Sequence, residues 1–426
     1  MNFRSVRPAP ISISEFPIPS LETSFIKNKI PSFIHGTPQL EIVRMELFWM
    51  AGSRNAFLPF LANLAAEMLF SGNEGISEEE IIKKLDYYGV SYSMDTSVST
   101  TSLSIRFQKK HGAIVIPWVL NNISTVSYPV FEVDNAIMVR TAGIERQQQT
   151  PKYWSNRISL ESLYGLENSL SRFGEIEQLA KITSEQLNEF RRTHLKVGSA
   201  MIFLSGDVDA SIVALIESLI SIESSSVFTP NPKVSSTYSG MEGTVIKKEL
   251  PNASQVSLQM VKHIVPVNQR ERHVLTLLNL VLGGYFGSRL MQELREKQGL
   301  TYGIGSYFKP AFDDYTWIIS GEMNSNNMEK TLVAIESIFA DLRLNLIELE
   351  ELTKLKQYYS GVFRSGFDGP FALSGKVQSN IMKHQDTNYY ATVLPEIWSI
   401  SSEEILHCAN KYLNDNSFVT ALAGNI

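Results

Sequence analysis

The sequence contains an internal duplication, and this feature limits what the chain can fold into. Residues 182–187 (ITSEQL) recur as residues 400–405 (ISSEEI), and residues 203–208 (FLSGDV) recur as residues 421–426 (ALAGNI). Both pairs are offset by 218 positions, so the segments between them match without a gap. Two copies within 426 residues indicate two units of the same fold rather than one large core.

Each copy carries the signals of a helix followed by a buried strand. Thr183 and Ser401 each lie three residues before a Gln or Glu, which is the spacing of a capping box at a helix start. Apolar segments follow at residues 200–205 and 418–423, and a glycine comes directly after each of them. The repeat therefore predicts one helix and one core strand at the end of both units.

A second correspondence extends the repeat. Residues 81–92 resemble residues 290–302, and both combine an amphipathic helix, a glycine near its C-terminal end and an alternating strand. Residues 97–107 also alternate, which predicts an antiparallel strand with one solvent-exposed face. These patterns favour an α+β fold of two homologous domains, each an antiparallel (mixed) sheet flanked by helices, over a parallel α/β sheet.

The boundary between the domains is predicted from composition. Ser, Pro, Asn and Thr dominate residues 224–239, and hydrophobic periodicity is lost there. We predict an N-terminal domain at residues 1–225, a linker at residues 226–238 and a C-terminal domain at residues 239–426.

Composition excludes several classes of function. A formal net charge of −6 without a cluster of basic residues argues against nucleic-acid binding. The single cysteine, Cys408, allows neither an internal disulfide nor a cysteine metal site, and its helical surroundings predict a buried thiol. The sequence shows no signal peptide and no window near the ~20 apolar residues of a membrane span, so we expect a cytoplasmic protein.

One segment resembles a known family. Residues 282–302 (LGGYFGSRLMQELREKQGLTY) contain a glycine-rich turn, S-R-L and then R-E-x-x-G-L-x-Y. This is similar to the C-terminal-domain signature of the pitrilysin/insulinase zinc peptidases, whose relatives include the mitochondrial processing peptidase and the core subunits of the respiratory cytochrome bc complex. The resemblance extends over nearly the whole chain, including residues 62–95 and 182–208, and it implies the duplicated α+β fold of that family.

The same resemblance implies that the zinc site has been lost. Active members carry H-x-x-E-H on their first helix, where two His bind zinc and the Glu activates water. Here Asn63 replaces the first His, Ala66 the Glu and Glu67 the second His, while Glu145 lies near the place of the distal Glu ligand. Because Asn is a poor zinc ligand and Ala takes no proton, we predict that this chain binds no metal and is inactive alone. A weak oxygen-rich site for a hard cation is the alternative to ordinary solvated side chains.

The resemblance also implies substrate-binding residues. In this family the C-terminal half contributes an Arg and a Tyr, seven residues apart, that hold the substrate carbonyl, and Arg295 and Tyr302 have this spacing. The alternative is a helix-end cation and a strand packing residue. Gly283 and Gly284 would allow a peptide backbone to approach closely, or would serve only the turn.

The resemblance therefore implies a non-catalytic subunit of a heteromeric zinc metallopeptidase. A homologous partner would bear the zinc, and this chain would supply Arg295 and Tyr302 to the peptide substrate. The alternatives are a structural core or scaffold protein of the same fold and a self-associating, homodimeric peptide-binding module.

Overall fold

The computed structural model describes residues 15–27, 29–220, 238, 240–311, 314–383, 385–386, 388–414 and 417–426. The predicted linker at residues 226–238 lies outside the described residues, except for Tyr238.

The described residues form thirteen strands and fourteen α-helices. The strands are β1 (Ser24–Ile26), β2 (Ile30–Gly36), β3 (Ile42–Trp49), β4 (Gly72–Asn73), β5 (Ile76–Ser77), β6 (Ser91–Thr96), β7 (Thr101–Gln108), β8 (Met201–Gly206), β9 (Val245–Glu249), β10 (Val256–Ile264), β11 (Thr301–Ala311), β12 (Asp314–Met323) and β13 (Val419–Gly424). The helices are α1 (Leu61–Glu67), α2 (Glu78–Tyr87), α3 (Gly112–Thr125), α4 (Val130–Gln148), α5 (Pro151–Tyr164), α6 (Ile176–Leu179), α7 (Ser184–His194), α8 (Ala210–Leu219), α9 (Gln269–Asn279), α10 (Met328–Leu344), α11 (Leu349–Ser365), α12 (Pro370–Met382), α13 (Tyr389–Ser399) and α14 (Ser402–Tyr412). Two π-helical segments, Leu280–Gly284 and Met291–Lys297, lie between α9 and β11.

The two main sheets have the same topology. The first sheet has the order β1-β2-β8-β3-β7-β6, and the second has the order β9-β13-β10-β12-β11. In each sheet one parallel pair, β2 with β8 or β9 with β13, is followed only by antiparallel pairs. Apart from β1, each strand of the first sheet has a counterpart in the second. The predicted α+β fold with mixed sheets is confirmed.

The repeated sequence signals have the same local structure in both halves. The Thr183 and Ser401 hydroxyls accept hydrogen bonds from the third backbone N–H of α7 and α14, so both capping boxes form. The strands that follow, β8 and β13, are buried at every position. Gly206 and Gly424 end these strands at φ of +98° and +144°, a backbone region that favours glycine.

Two helices are exchanged between the halves. Helix α5, from the first half, packs on β10 and β13 of the second sheet, where Leu160 and Leu163 join Val261 and Val419 in one buried cluster. Small side chains allow this close approach, since the buried Ser155 hydroxyl hydrogen-bonds that of Ser257 at 2.9 Å.

The counterpart of α5 in the second half is α12, which packs on β2 and β8 of the first sheet. Leu373 and Val377 of α12 share a buried cluster with Phe33 and Phe203 of those strands. Arg44 of β3 donates a hydrogen bond of 3.0 Å to the backbone carbonyl of Phe371, the second residue of α12. Each half therefore covers part of the other half's sheet.

Among the described residues, no single helix combines the length and apolarity of a membrane-spanning helix. The bent pair Lys109–Thr125 and Val130–Gln148 meets both criteria only when its two helices are taken together.

Candidate functional site

Helix α1 carries the degenerate metal motif. Asn63 is half-buried, Ala66 is fully buried in the core of the first half, and Glu67 is exposed. Residues Met68, Leu69 and Phe70, which follow the helix, are all buried. The helix thus keeps its packing, while its polar positions differ in chemistry from those of a zinc site.

The positions that would hold a metal carry groups that do not fit zinc. The guanidinium of Arg140 on α4 donates a hydrogen bond to the Glu67 carboxylate, and Glu145 lies exposed further along the same helix. A fixed cation at a ligand position opposes binding of a second cation. Within the described ranges, no three His, Cys, Asp or Glu side chains are grouped as metal ligands. The absence of zinc from this chain stays a prediction, which this donor set supports.

The glycine-rich segment lies against β11. A side chain at Gly283 would put its Cβ 2.6 Å from the Cβ of Ser306 and 2.9 Å from Leu290, while one at Gly284 would meet the Asn279 amide at 2.9 Å. Ser306 donates a hydrogen bond of 2.7 Å to the side-chain oxygen of Asn279, which ties the strand to the end of α9. This geometry gives both glycines a packing role, and their contact with a substrate stays a prediction.

Arg295 lies on the π-helical segment before β11 and keeps 42% of its side-chain surface exposed. Its guanidinium lies 5.3 Å from the centre of the Phe286 ring, and its nearest carboxylate, Glu296, is 3.6 Å away. That separation is too long for a good hydrogen bond. The donors of Arg295 therefore remain accessible to another molecule.

Tyr302 is 82% exposed at the start of β11. Among the described residues its hydroxyl has no hydrogen-bond partner. The side chain lines an open cavity of about 780 Å³ between the end of α4 and the start of α5 on one side and β10, β11 and β12 on the other. Polar side chains from both halves, including Gln147, Tyr153 and Gln259, line the same cavity.

The structure does not bring Tyr302 to the degenerate motif of its own chain. Asn63 lines a separate cavity of about 580 Å³, which also includes Lys309 near the other end of β11. Seven residues of extended strand separate Tyr302 from Lys309, or about 24 Å at ~3.4 Å per residue. Within one chain, Tyr302 and Asn63 of the degenerate motif therefore line different cavities.

Comparison with known proteins supports the family resemblance. Residues 181–359 match the family model described as Peptidase M16 inactive domain. The matched segment is less than half of the chain, and over it the chain is similar to the inactive-type domain of M16 peptidases. This confirms the resemblance to zinc peptidases that was predicted from the sequence.

Relatives that match most of the chain carry two kinds of name. It is 21% identical over 398 residues to the "Uncharacterized zinc protease YmxG" of Bacillus subtilis, covering 92% of this chain and 95% of that protein. It is 18% identical over 373 residues to the "Non-peptidase homolog YmxG" of Helicobacter pylori, covering 86% and 84%. The crystal structure of a peptidase M16 inactive domain from Pseudomonas fluorescens matches with a TM-score of 0.82 at 22% identity, covering 95% of this chain and 98% of that one. The last similarity establishes the shared fold.

Sequence reasoning missed the partner of Glu67. Arg140 lies 73 residues further along the chain, and α4 brings it to α1 only through tertiary packing. Arg140 belongs to no short motif with Glu67, so nothing local in the sequence indicated this pair.

Proposed function

We propose that this chain is the non-catalytic subunit of a two-chain metallopeptidase. A homologous partner would bear zinc on an intact H-x-x-E-H helix and supply the hydrolytic water. This chain would present Arg295 and Tyr302 to the carbonyl oxygen of the bound peptide. A guanidinium and a phenol are suitable hydrogen-bond donors to an oxygen that gains negative charge in the transition state.

The observation that carries this proposal is the exposed tyrosine. An aromatic side chain that is 82% exposed, with no intramolecular hydrogen bond among the described residues, contributes little to the stability of its own fold. Tyr302 lies at the wall of a cavity, away from the degenerate motif of its own chain. A metal site supplied by another chain would give the free hydroxyl a function.

The test is a reconstituted complex of this chain with a zinc-bearing homologue. Removing one donor to a developing oxyanion lowers kcat by about 10²–10³-fold in well-studied hydrolases. We expect Tyr302→Phe and Arg295→Ala each to lower kcat by a comparable factor in a peptide-hydrolysis assay, with the complex still forming in size-exclusion chromatography.

Matched controls lie on the same chain. Tyr87 is 81% exposed and Arg192 keeps 58% of its side-chain surface, and neither lines the Tyr302 cavity. Tyr87→Phe and Arg192→Ala should leave the activity of the complex unchanged. If Tyr302→Phe and Arg295→Ala behaved like these controls, the substrate-binding role would be refuted.

A scaffold role is the second candidate, and the name of the Helicobacter pylori relative favours it. A scaffold would form a stable complex or homodimer whose properties do not depend on Arg295 or Tyr302. The same experiment separates the two functions, because size exclusion reports assembly and the hydrolysis assay reports the two side chains.

A further inference from the structure

A cleft between the two halves is lined by three cationic side chains. Its floor and walls include Asn63 of α1 and the turn between β6 and β7 from the first half. Arg272 of α9, Lys309 of β11 and Lys383, the residue directly after α12, enter it from the second half. We call this cavity of about 580 Å³ the cationic cleft.

The three cations come from separate elements and meet only in the folded chain. Arg272 donates a hydrogen bond of 3.3 Å to the hydroxyl of Tyr315 and lies 5.6 Å from the centre of that ring. In the described part of the chain, neither Arg272, Lys309 nor Lys383 contacts a carboxylate, and no acidic residue lines the cleft.

Two half-buried arginines elsewhere in this acidic chain each pair with two carboxylates. Arg157 contacts the carboxylates of Glu161 and Glu175, and Arg289 contacts those of Asp341 and Glu351. A formal net charge of −6 makes carboxylates abundant, so lack of acidic residues does not explain the cationic cleft.

The two lysines lie close enough to the cleft walls, and Lys383 also to Arg272, to disfavour their charged forms. Both lysine side chains are exposed, yet the surrounding protein displaces enough water to lower the pKa of Lys309. The pKa of Lys383 is lowered first by the same loss of water and then by the charge of Arg272. Like charges gathered in a partly desolvated space favour an anion that neutralises them.

The first half offers a further donor to such an anion. The amide of Asn63 lines the cleft, and among the described residues it forms no side-chain hydrogen bond. Glu67, the acidic residue of the same motif, is paired with Arg140 and does not line the cleft. Asn63 replaces the first zinc-binding His of the resembled motif, and here it lines a cleft whose charges suit an anion.

We propose that the cationic cleft binds an oxyanion group, a carboxylate or a phosphate, carried on a small apolar body. Lys309, Lys383 and Arg272 provide charge-assisted hydrogen bonds to the oxygens. Apolar side chains of Leu170 and Met382 face the rest of the ligand. The volume lies within the roughly 300–1,000 Å³ of small-molecule sites. The ligand is either the carboxylate end of an apolar peptide or a small phosphorylated molecule.

This inference is independent of the zinc-bearing partner and of Tyr302, so it is tested on the full chain alone. Binding is measured by calorimetry and by the thermal midpoint with three probes. These are inorganic phosphate, a short apolar peptide with a free C-terminal carboxylate and the same peptide with a C-terminal amide.

We expect phosphate or the free-acid peptide to bind and raise the midpoint, and the amidated peptide to bind at least tenfold more weakly than its acid. Binding of phosphate alone identifies a small phosphorylated ligand, and binding of the acid peptide alone identifies a peptide end. If neither anion bound, the proposal would be overturned.

Substitutions place the binding in the cleft. Lys309→Met and Lys383→Met each remove one charge and keep an apolar stem, and each should weaken anion binding roughly ten- to hundredfold. Without ligand these variants should unfold no earlier than the wild type, because one repulsive charge has gone. Lys83→Met removes a lysine that is 70% exposed on α2 and should bind like the wild type. Equal anion affinity in all three variants would place the anion outside the cleft and refute the proposal.

Discussion

The packing of Gly283 against β11 gives a prediction with a definite sign. In the Gly283→Ala variant the new Cβ would lie 2.6 Å from the Cβ of Ser306 and 2.8 Å from its backbone nitrogen. Carbon atoms in contact prefer about 3.5–4.0 Å, so strand and helix must separate by nearly 1 Å. Overpacking of this kind costs about 1–3 kcal/mol.

The shift would also stretch a buried hydrogen-bonded group. Ser306 donates to Asn279 at 2.7 Å, and the indole N–H of Trp317 donates to the same Asn279 oxygen at 3.0 Å. Loss of these bonds adds to the cost of overpacking. The buried indole also makes tryptophan fluorescence a suitable signal for unfolding in urea.

Gly375 provides the matched control. It lies inside α12, and a Cβ there would have no neighbour within 4 Å. Because glycine inside a helix is less favourable than alanine by about 0.5–1 kcal/mol, Gly375→Ala should raise the free energy of unfolding. Opposite signs for the two variants are expected. A Gly283→Ala chain as stable as the wild type would refute a packing role and leave substrate access as the reason for the glycine.

Three further predictions concern the repeat and the core. Burial raises the pKa of the Cys408 thiol to about 12. At pH 8 a thiol reagent should therefore modify the native chain far more slowly than the unfolded chain. Fast labelling of the native chain would contradict the burial of Cys408. Thr183→Ala and Ser401→Ala should each lower the free energy of unfolding by about 1 kcal/mol, because both remove a helix cap. A large difference between the two variants in urea titrations would show that the two caps do not contribute equally to stability. Ser159→Leu should destabilise the chain by about 1–3 kcal/mol, since this fully buried residue lies where α5 meets β10; an unchanged urea midpoint would contradict the close contact.

Local signals explain what the sequence could predict. The capping boxes at Thr183 and Ser401 and the left-handed glycines Gly89 and Gly299 act within a few residues, so both copies of these structures were foreseeable. The strand predicted from residue 97 begins instead at Thr101. Residues 97–100 form a turn, in which the Ser97 N–H donates to the Thr100 carbonyl at 2.8 Å. Alternation of apolar and polar residues gives no information about this hydrogen bond, so the start of the strand was predicted too early.

Long-range packing explains what the sequence could not predict. The apolar faces of α5 and α12 have helical periodicity, but periodicity does not tell which sheet a face covers. The Glu67–Arg140 pair and the cationic cleft likewise join residues far apart in the chain. Charged residues that meet only through tertiary packing have no fixed spacing in the sequence, so no local pattern predicts their contact.

The exchange of α5 and α12 has a consequence for synthesis of the chain. Pro370, the first residue of α12, lies 164 positions after Gly206, the last residue of β8. A nascent chain that has completed the first sheet still exposes Phe33 and Phe203, because the helix that covers them has not been made. Contacts so distant in sequence form late and slowly. The two copies look separable in sequence, yet a gene cut between them would yield two fragments that each expose an apolar sheet face.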